Sequence, residues 1–401
     1  MKKSLLLIAV IMSFASLASA TGLTGSGTLA DPFQISTAAD LNLVRDNLGV
    51  GIYFKLMNDI DLTTYLASGA GYTAWGSAGW LPIGNSAAQF NGKFNGNGKK
   101  ITGLTLSRAS ESQIGLFGRT GANSTIDNLG VEIATGKVTG YQDVGGLVGL
   151  NNGTLSQCYV SGPVSSYQYC GGLVGENGAN SITNCYASGT VNGYSFLGGL
   201  AGYNSSGRFT NCYASGKVTS TGATMSGGLQ GYSGLAYYFT NCYWDKTVNS
   251  VEYLNNGSGT GKTTVEMKTA STFTGWSGSD WKIDPVINAG YPFLTWQNFG
   301  GSSLSVEEAA ANAPKEFALE QNYPNPFNPT TAIGYQLSAN GFTSLKIYDA
   351  IGREVATLVN EAKEAGTYSV QFDGAKLSSG IYFAKLTSDR KTQMKKLLLL
   401  K

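Results

Sequence analysis

The sequence predicts an all-β protein: a right-handed parallel β-helix (a β-solenoid) with short capping helices, followed by an immunoglobulin-like antiparallel β-sandwich. Three observations predict this fold: a composition rich in glycine, a segment repeated about every 27 residues, and a second pattern after residue 316. Of the 401 residues, 55 are glycine, 22 are tyrosine and only 13% are charged, which is typical of turn-rich β structure.

The N-terminus has the features of a secretory signal peptide. Lys2 and Lys3 precede an apolar run from Leu5 to Met12, and small residues ending at Ala20 form a cleavage site. We therefore exclude residues 1–20 from the fold. Without these two of its 27 basic residues the chain has 25 basic and 25 acidic residues, so no nucleic-acid partner is indicated.

A pentapeptide and a cysteine recur together. "GGLVG" at 145 and 171, "GGLAG" at 198 and "GGLQG" at 227 are each followed by "QCY" or "NCY". The cysteines are 27, 27 and 30 residues apart, and a fixed period of this size is the mark of a solenoid. Within a copy, short apolar runs are broken by Gly and Asn, which predicts short strands joined by left-handed turns.

Side-chain alternation along a strand assigns the repeated cysteine and tyrosine to opposite faces. Cysteine is commonly buried, and Leu129 replaces it in an earlier, degenerate copy. We therefore predict a core ladder of Leu129, Cys158, Cys185, Cys212 and Cys242. On the outer face we expect a candidate binding ladder of Tyr159, Tyr186, Tyr213, Tyr243 and Trp244. Its rings would contact sugar or protein, or would simply coat the coil.

Two short helices are predicted to cover the open ends of the coil stack. Thr37 and Asp40 have capping-box spacing before an amphipathic stretch, and Thr263 and Glu266 repeat this arrangement. Unpaired strand edges at the ends of a solenoid would otherwise invite aggregation.

The candidate chemistry is sparse. The chain has no histidine and no CxxC, and it would place one cysteine in each coil, so no metal or other cofactor is expected. Buried free thiols are favoured over disulfides. Asp143 and Glu176 lie at different points of the repeat, so we do not expect them to line one groove. A non-enzymatic protein is predicted, with a carbohydrate-active lyase or hydrolase and a purely structural surface protein as alternatives.

The repeats resemble the GLUG-motif repeats of bacterial secreted and surface proteins. The resemblance rests on the pentapeptides and on flanking segments such as "YFKLMNDIDL" and "CYWDKT", and it covers roughly residues 25–297. It implies a β-solenoid but no single activity.

The C-terminal segment resembles the type A sorting domain of the bacterial type IX secretion system. The resemblance rests on "NYPNPFNP", "YDAIGREV", "LSSGIYF" and "KKLLLLK". It implies export through the type IX machinery, with the passenger released or anchored to surface lipopolysaccharide. The residues that carry the resemblance are Asn322, Pro324, Asn325, Pro326, Gly352, Arg353, Gly380, Tyr382, Lys395 and Lys396.

The predicted organisation has six segments: a signal peptide (1–20), an N-terminal flank (21–108), GLUG-type repeats (109–245), a C-terminal flank (246–299), a linker (300–316) and a sorting domain (317–401). We expect a secreted binding or adhesion protein on the extracellular face of the outer membrane of a Gram-negative bacterium. Its ligand would be an extracellular glycan or protein.

Overall fold

A computed structural model describes residues 22–178, 180–222, 225–233, 239–249, 259–297, 317–338, 341–363, 366–388 and 391–401. The predicted signal peptide with Ala20 and the predicted linker lie outside these residues. Contacts between residues divide the chain into two units, Met1–Phe299 and Gly300–Lys401.

The first unit is a parallel β-solenoid of about five coils, as the sequence predicts. One sheet has eighteen strands: Phe33–Ile35, Tyr53–Leu56, Ile60–Asp61, Lys93–Ile114, Thr125–Gly145, Thr154–Ser156, Tyr159–Ser161, Val164–Gly171, Ser181–Thr183, Tyr186–Ala187, Val191–Gly198, Arg208–Thr210, Tyr213–Ala214, Val218–Ser220, Ser226–Gly227, Phe239–Thr240, Tyr243–Asp245 and Thr260–Lys262. A second sheet has five: Phe117–Arg119, Val148–Asn151, Val174–Asn177, Ala201–Asn204 and Gln230–Ser233.

Corresponding residues of successive coils are direct neighbours in the sheets. Tyr186 pairs with Tyr159 on one side and with Tyr213 on the other, both in parallel register. The inward side chains therefore form ladders, and one of them runs through Phe33, Phe54, Phe94, Ile126, Leu155, Ile182, Phe209 and Phe239. A repeated residue in the sequence thus becomes a continuous row along the solenoid.

The residue before each core cysteine turns the chain through a left-handed corner, as the sequence predicts. These residues have φ between 49° and 53° and are Gln157, Asn184, Asn211 and Asn241, and Asn97 and Asn128 have the same conformation (φ 53°) in earlier coils. Asparagine adopts this conformation at lower cost than most residues with a Cβ. The triplet Asn-Cys-Tyr therefore encodes a corner, a core position and an outer position.

The last glycine of the pentapeptide lets the five-stranded sheet approach the neighbouring bend closely. A Cβ added at Gly175 would lie 2.3 Å from the carbonyl carbon of Asp143, which is closer than two non-bonded atoms can approach. Only glycine fits here without displacing backbone, so the repeat brings the residue after it, Glu176, beside that bend.

A polar ladder, which we did not predict, runs inside the coils. Asn151 accepts a hydrogen bond from the Thr120 hydroxyl (2.8 Å) and donates one to Asn177 (2.8 Å), which in turn donates to Asn204 (3.2 Å). All four side chains are fully buried. Pairing from coil to coil satisfies amide groups that would be costly to bury alone.

The N-terminal end of the solenoid is covered by more helix than the sequence predicts. Helix Ala38–Leu43 has the predicted capping box, is followed by the 3₁₀ turn Val44–Asp46, and buries Leu41 in the solenoid core. The unpredicted part consists of helices Thr63–Ala67 and Ala70–Trp75 and the 3₁₀ turn Gly76–Ala78. Behind them Trp80 is fully buried, and its Nε1 donates to the Leu116 carbonyl (3.1 Å).

The second predicted helix has a different role from the one expected. Thr264–Met267 has the predicted capping box of Thr263 and Glu266. Its buried Met267, however, packs with aromatic residues outside the coil and not with the solenoid core. After it come the 3₁₀ turns Ala270–Thr272 and Ile287–Gly290 and the antiparallel pair Trp281–Lys282 and Phe293–Leu294.

The second unit contains two antiparallel sheets. One sheet has three strands, Ala318–Leu319, Thr330–Leu337 and Gly366–Asp373. The other has four, in the order Glu354–Lys363, Gly341–Asp349, Gly380–Ser388 and Lys391–Leu399. Their alternating inward residues form one apolar core, which agrees with the predicted antiparallel sandwich.

Candidate functional site

The repeated cysteines lie inside the solenoid. Cys158, Cys185, Cys212 and Cys242 are all buried with Leu129 in the main core, and each carries a free thiol. Burial raises the pKa of Cys185 and Cys242 and raises that of the fifth cysteine, Cys170, to about 12. Among the described residues, no group of three or more His, Cys, Asp or Glu side chains could hold a metal ion. A buried thiol with a raised pKa is a poor nucleophile.

The predicted binding ladder is covered, so the expectation that it faces solvent is wrong. Tyr159, Tyr186, Tyr213 and Tyr243 do point away from the cysteines, and neighbouring rings stack 5.2 Å and 4.8 Å apart at the first three positions. Their exposed fractions are nevertheless only 6%, 2%, 0% and 8%. We call these four residues the covered ladder.

The covering segment is residues 264–297, which we call the cover. Trp281 packs on Tyr186 and Tyr213, with ring centroids 6.1 Å and 5.8 Å apart, and Trp296 packs on Tyr159 at 5.7 Å. Together with Met267, Phe273 and Leu294, these rings form a second apolar core on the outside of the coil.

Hydrogen bonds from indole N–H groups attach the cover to the residues with left-handed backbone conformation that precede the core cysteines. Trp281 Nε1 donates to Asn184 Oδ1 (3.2 Å), Trp296 Nε1 donates to the Gln157 carbonyl (3.1 Å), and Trp276 Nε1 donates to the Asn241 carbonyl (3.0 Å). These three acceptors belong to different coils, so the cover spans several turns of the solenoid.

The tyrosine hydroxyls also have partners. Tyr159 donates to Glu132 (2.9 Å), Tyr213 donates to the Pro292 carbonyl (2.6 Å), and Tyr186 exchanges hydrogen bonds with the Gln297 amide. A buried phenol with a satisfied hydroxyl is a structural group and not an open binding surface.

Trp244 does not join the ladder of tyrosines. It pairs in register with Ala214 and is 4% exposed within the solenoid core. The strand alternates, so Tyr243 points outward and Trp244 inward. Trp244 stands two residues after Cys242, so alternation places both side chains on the inner face.

A different row of tyrosines is exposed. Tyr141, Tyr167 and Tyr194 are 45%, 43% and 45% exposed, and successive ring centroids lie 5.4 Å and 4.9 Å apart. The ring planes differ by only 6° and 9°, so the rings cover each other's faces and present their edges to solvent. We call these three residues the tyrosine row. Its sequence signal is the tyrosine of "YQDVGG", "YQYCGG" and "YSFLGG".

Two carboxyl groups that the sequence placed apart lie beside each other. Asp143 occupies a left-handed bend (φ 54°) against Gly175, and Glu176 follows that glycine. Burial and the neighbouring charge of Glu176 raise the pKa of Asp143 to about 7, while Arg119 opposes the rise. Although they stand at different points of the repeat, the two carboxyl groups are thus close enough to interact electrostatically. We call Asp143, Glu176 and Arg119 the acidic corner.

Half-exposed aromatic rings continue from the acidic corner toward the later coils. Tyr169 occupies the bend one coil after Asp143, and its ring lies 4.8 Å from Phe196 and 5.4 Å from Tyr203. The corresponding angles between ring planes are 43° and 38°. Tyr203 in turn stacks on Tyr232 of the next coil, with ring centroids 5.8 Å apart and planes 7° apart, so these rings form a partly exposed aromatic patch.

In the second unit, the predicted sorting residues hold the last strand in place. Asn325 accepts from the Leu398 backbone N–H (2.9 Å) and donates to the Lys396 carbonyl (3.3 Å). Asn322 is buried and donates to Thr331 Oγ1 and to the Pro324 carbonyl, both at 3.0 Å. The peptide bonds before Pro324 and Pro326 are cis.

The other sorting residues lie in turns and on strands of the four-stranded sheet. Gly352 (φ 84°) closes a turn in which Arg353 forms an ion pair with Asp349 (2.8 Å). Tyr382 is buried and donates to the Ser378 carbonyl (2.8 Å). Gly380, Lys395 and Lys396 lie on the final two strands, and Lys391–Leu399 pairs on one side only within this sheet.

The fold and these sites define a class: a solenoid of coil-length repeats joined to a β-sandwich. Residues 166–192 and 193–219 match the family described as the GLUG motif, and residues 321–400 match the secretion system C-terminal sorting domain. The chain thus contains two GLUG motifs and a secretion system C-terminal sorting domain, as its sequence motifs predict. The sorting domain implies interaction with the type IX secretion machinery and surface exposure.

Two curated proteins are similar to about a third of the chain. One is the "Putative Gly-rich membrane protein" of Evansella cellulosilytica, 42% identical over 137 residues, or 34% of this chain and 15% of that protein. The other is "Halomucin" of Haloquadratum walsbyi, 36% identical over 140 residues, or 34% of this chain and 2% of that protein. The chain therefore matches only a small part of either relative.

Among the described residues, no helix has the length and apolar character needed to cross a membrane.

Proposed function

We propose that the protein is a non-enzymatic binding protein of the cell surface and that the tyrosine row is its binding face. The observation that carries this proposal is the exposure of three large, aligned phenol rings, 43–45% each, on an otherwise regular coil surface. Tyrosine supplies a large contact area and a polar tip at low entropic cost, which is why it is enriched at binding surfaces.

We propose further that the protein acts on the extracellular face of the outer membrane of a Gram-negative bacterium. The match to a sorting domain supports this location, and the names of the two relatives are consistent with a surface role. Lipopolysaccharide is the proposed anchor, with release into the medium as the alternative outcome.

Binding is tested with the full chain against immobilised polysaccharides and extracellular proteins. Tyr167 lies in the middle of the row, so Tyr167→Ala should weaken retention of a bound ligand roughly 30-fold, as expected for an interface tyrosine that contributes about 2 kcal/mol. The matched control is Tyr72→Ala, because Tyr72 is 48% exposed but lies in the N-terminal helices.

Unchanged retention by Tyr167→Ala would contradict the assignment of the binding face. Retention of nothing by the unmodified chain would favour a purely structural surface protein. Release of shortened polysaccharide would instead favour the carbohydrate-active enzyme.

Export is tested by deleting "KKLLLLK", residues 395–401, from the expressed chain. The deletion removes the backbone groups that Asn325 holds, so the sorting domain should no longer present its last strand and the protein should accumulate in the periplasm. Lys376→Ala, in an exposed turn of the same domain, is the control and should leave export unchanged. Normal surface delivery of the deleted chain would contradict the proposal.

A further inference from the structure

The acidic corner contains buried polar groups that the fold leaves without a partner. Asp143 is only 5% exposed, and among the described residues its Oδ1 has no hydrogen-bond partner. The same holds for Nε of Arg119. Unpaired buried groups cost free energy, so their retention at one place points to a partner from outside the fold.

The parallel register of the coils places the side chains of Asp143, Arg119 and Glu176 near each other. Arg119 pairs with Leu150, and Leu150 pairs with Glu176, so the guanidinium lies two strands from the Glu176 carboxylate on the same sheet. Asp143 approaches from the adjoining sheet across the contact at Gly175. Burial raises the pKa of both carboxyl groups and the positive charge of Arg119 partly opposes this rise, as expected for three groups that the register brings near each other.

The balance of charge in the corner favours an uncharged ligand. Burial raises the pKa of Asp143 to about 7 and also raises the pKa of Glu176, and Arg119 adds a positive charge, so the net charge of the corner near neutral pH is small. A hard divalent cation prefers six or more oxygen ligands, whereas two carboxyl groups beside a guanidinium offer few oxygens and a repelling charge. Sugar hydroxyls both donate to carboxylate oxygens and accept from a guanidinium N–H.

Aromatic rings next to the acidic corner provide an apolar surface beside its polar groups. Burial raises the pKa of the Tyr169 hydroxyl, and the nearby charges of Asp143 and Glu176 raise it further. Its ring is partly exposed and tilted by 38° against Tyr203, whose own ring stacks on Tyr232 (5.8 Å, 7°), so the shelf presents a partly exposed aromatic surface. An aromatic face beside directed polar groups is the usual composition of a site that binds a flat, partly apolar ligand.

We propose that Asp143, Glu176 and Arg119, with the shelf of Tyr169 and Tyr203, form a subsite for a neutral polysaccharide. Glu176 accepts hydrogen bonds from ring hydroxyls, Arg119 donates to a hydroxyl or ring oxygen, and one pyranose ring packs on the aromatic shelf. The subsite lies two residues along the strand from the tyrosine row, since Tyr141 and Tyr167 precede Asp143 and Tyr169 by two positions. This inference rests on the proposed binding function and names its ligand class.

The test measures retention of the full chain by soluble mannan, xyloglucan, mixed-linkage β-glucan and amylose in affinity electrophoresis, with alginate as the charged comparison. At least one neutral polysaccharide should retard the unmodified chain. Glu176→Gln and Tyr203→Ala should each weaken that retardation at least about tenfold, the loss expected for one charge-assisted hydrogen bond or one stacked ring.

Two matched substitutions separate the subsite from general damage. Tyr72→Ala removes an exposed ring elsewhere and Asp46→Asn removes an exposed carboxyl elsewhere, so both should bind as the unmodified chain does. Thermal unfolding of each variant shows whether it is folded. Glu176→Gln is nearly isosteric, so it keeps the test decisive if Tyr203→Ala fails to fold.

The outcomes distinguish this inference from the proposed function. If Tyr167→Ala abolishes retention while Glu176→Gln and Tyr203→Ala do not change it, the subsite is wrong and the binding face stands. If the chain binds alginate or a protein but no neutral polysaccharide, the ligand class is wrong. If it binds nothing, both proposals are wrong.

Discussion

Single residues decide which parts of each coil are available for binding. In the triplet Asn184-Cys185-Tyr186, the asparagine turns the corner, the cysteine enters the core and the tyrosine leaves it. The sequence predicts all three directions, because they follow from alternation and from the conformational preference of asparagine. It could not predict whether Tyr186 is accessible, because accessibility depends on residues more than 90 positions later, such as Trp281.

Asp143 makes the stability of the solenoid depend on pH. Its pKa rises from 3.8 in the unfolded chain to about 7 in the folded one, so between these values the folded state holds a proton that the unfolded state has released. The free energy of unfolding should therefore fall as pH rises from about 4 to 7, by up to about 1.4 kcal/mol per pH unit, and then level off. The raised pKa of Glu176 contributes in the same direction.

Urea unfolding of the Asp143→Asn variant between pH 4 and pH 8 measures this effect. The asparagine cannot ionise, so most of the fall should disappear, whereas the exposed carboxyl variant Asp46→Asn should keep it. An identical pH profile for Asp143→Asn and the unmodified chain would show that the Asp143 carboxyl is not desolvated.

Among the elements, the cover shows which structural features can be predicted from sequence patterns and which cannot. The predicted capping box of Thr263 and Glu266 is present because it is a local pattern. The packing of Trp276, Trp281 and Trp296 on the coil is not local and does not repeat, so no period reveals it. The acidic corner was missed for a related reason: Asp143 and Glu176 differ in repeat position but meet where two sheets converge.

The cover should stabilise the solenoid through its central tryptophan. Trp281→Ala removes a buried indole that packs on Tyr186 and Tyr213 and leaves Asn184 Oδ1 without its donor. We expect the free energy of unfolding to fall by about 3–5 kcal/mol, the usual range for deleting a buried tryptophan. Val286→Ala, at an 84% exposed position of the same segment, should change it little. Equal stability of the two variants in urea would mean that the cover is loosely attached.

In the whole molecule, one unit is a repetitive solenoid and the other matches a secretion system C-terminal sorting domain. The solenoid and the sandwich follow from the sequence because each has a period or a set of motifs that specifies it. The proposed binding face does not follow from the sequence, since the repeats carry two tyrosine ladders with similarly regular spacing. One ladder is buried under the cover. The rings of the other are exposed to solvent, and its tyrosines stand two residues before the left-handed bends at Asp143, Tyr169 and Phe196.

The central claim is that Tyr141, Tyr167 and Tyr194 are open to solvent while Tyr159, Tyr186, Tyr213 and Tyr243 are not. Nitration of the native full chain with tetranitromethane, followed by peptide mass spectrometry, tests this claim without knowledge of the ligand. We predict rapid nitration of the first three tyrosines and protection of the other four until the protein is unfolded. Nitration of the covered ladder at the same rate as the tyrosine row in the native protein would contradict the account.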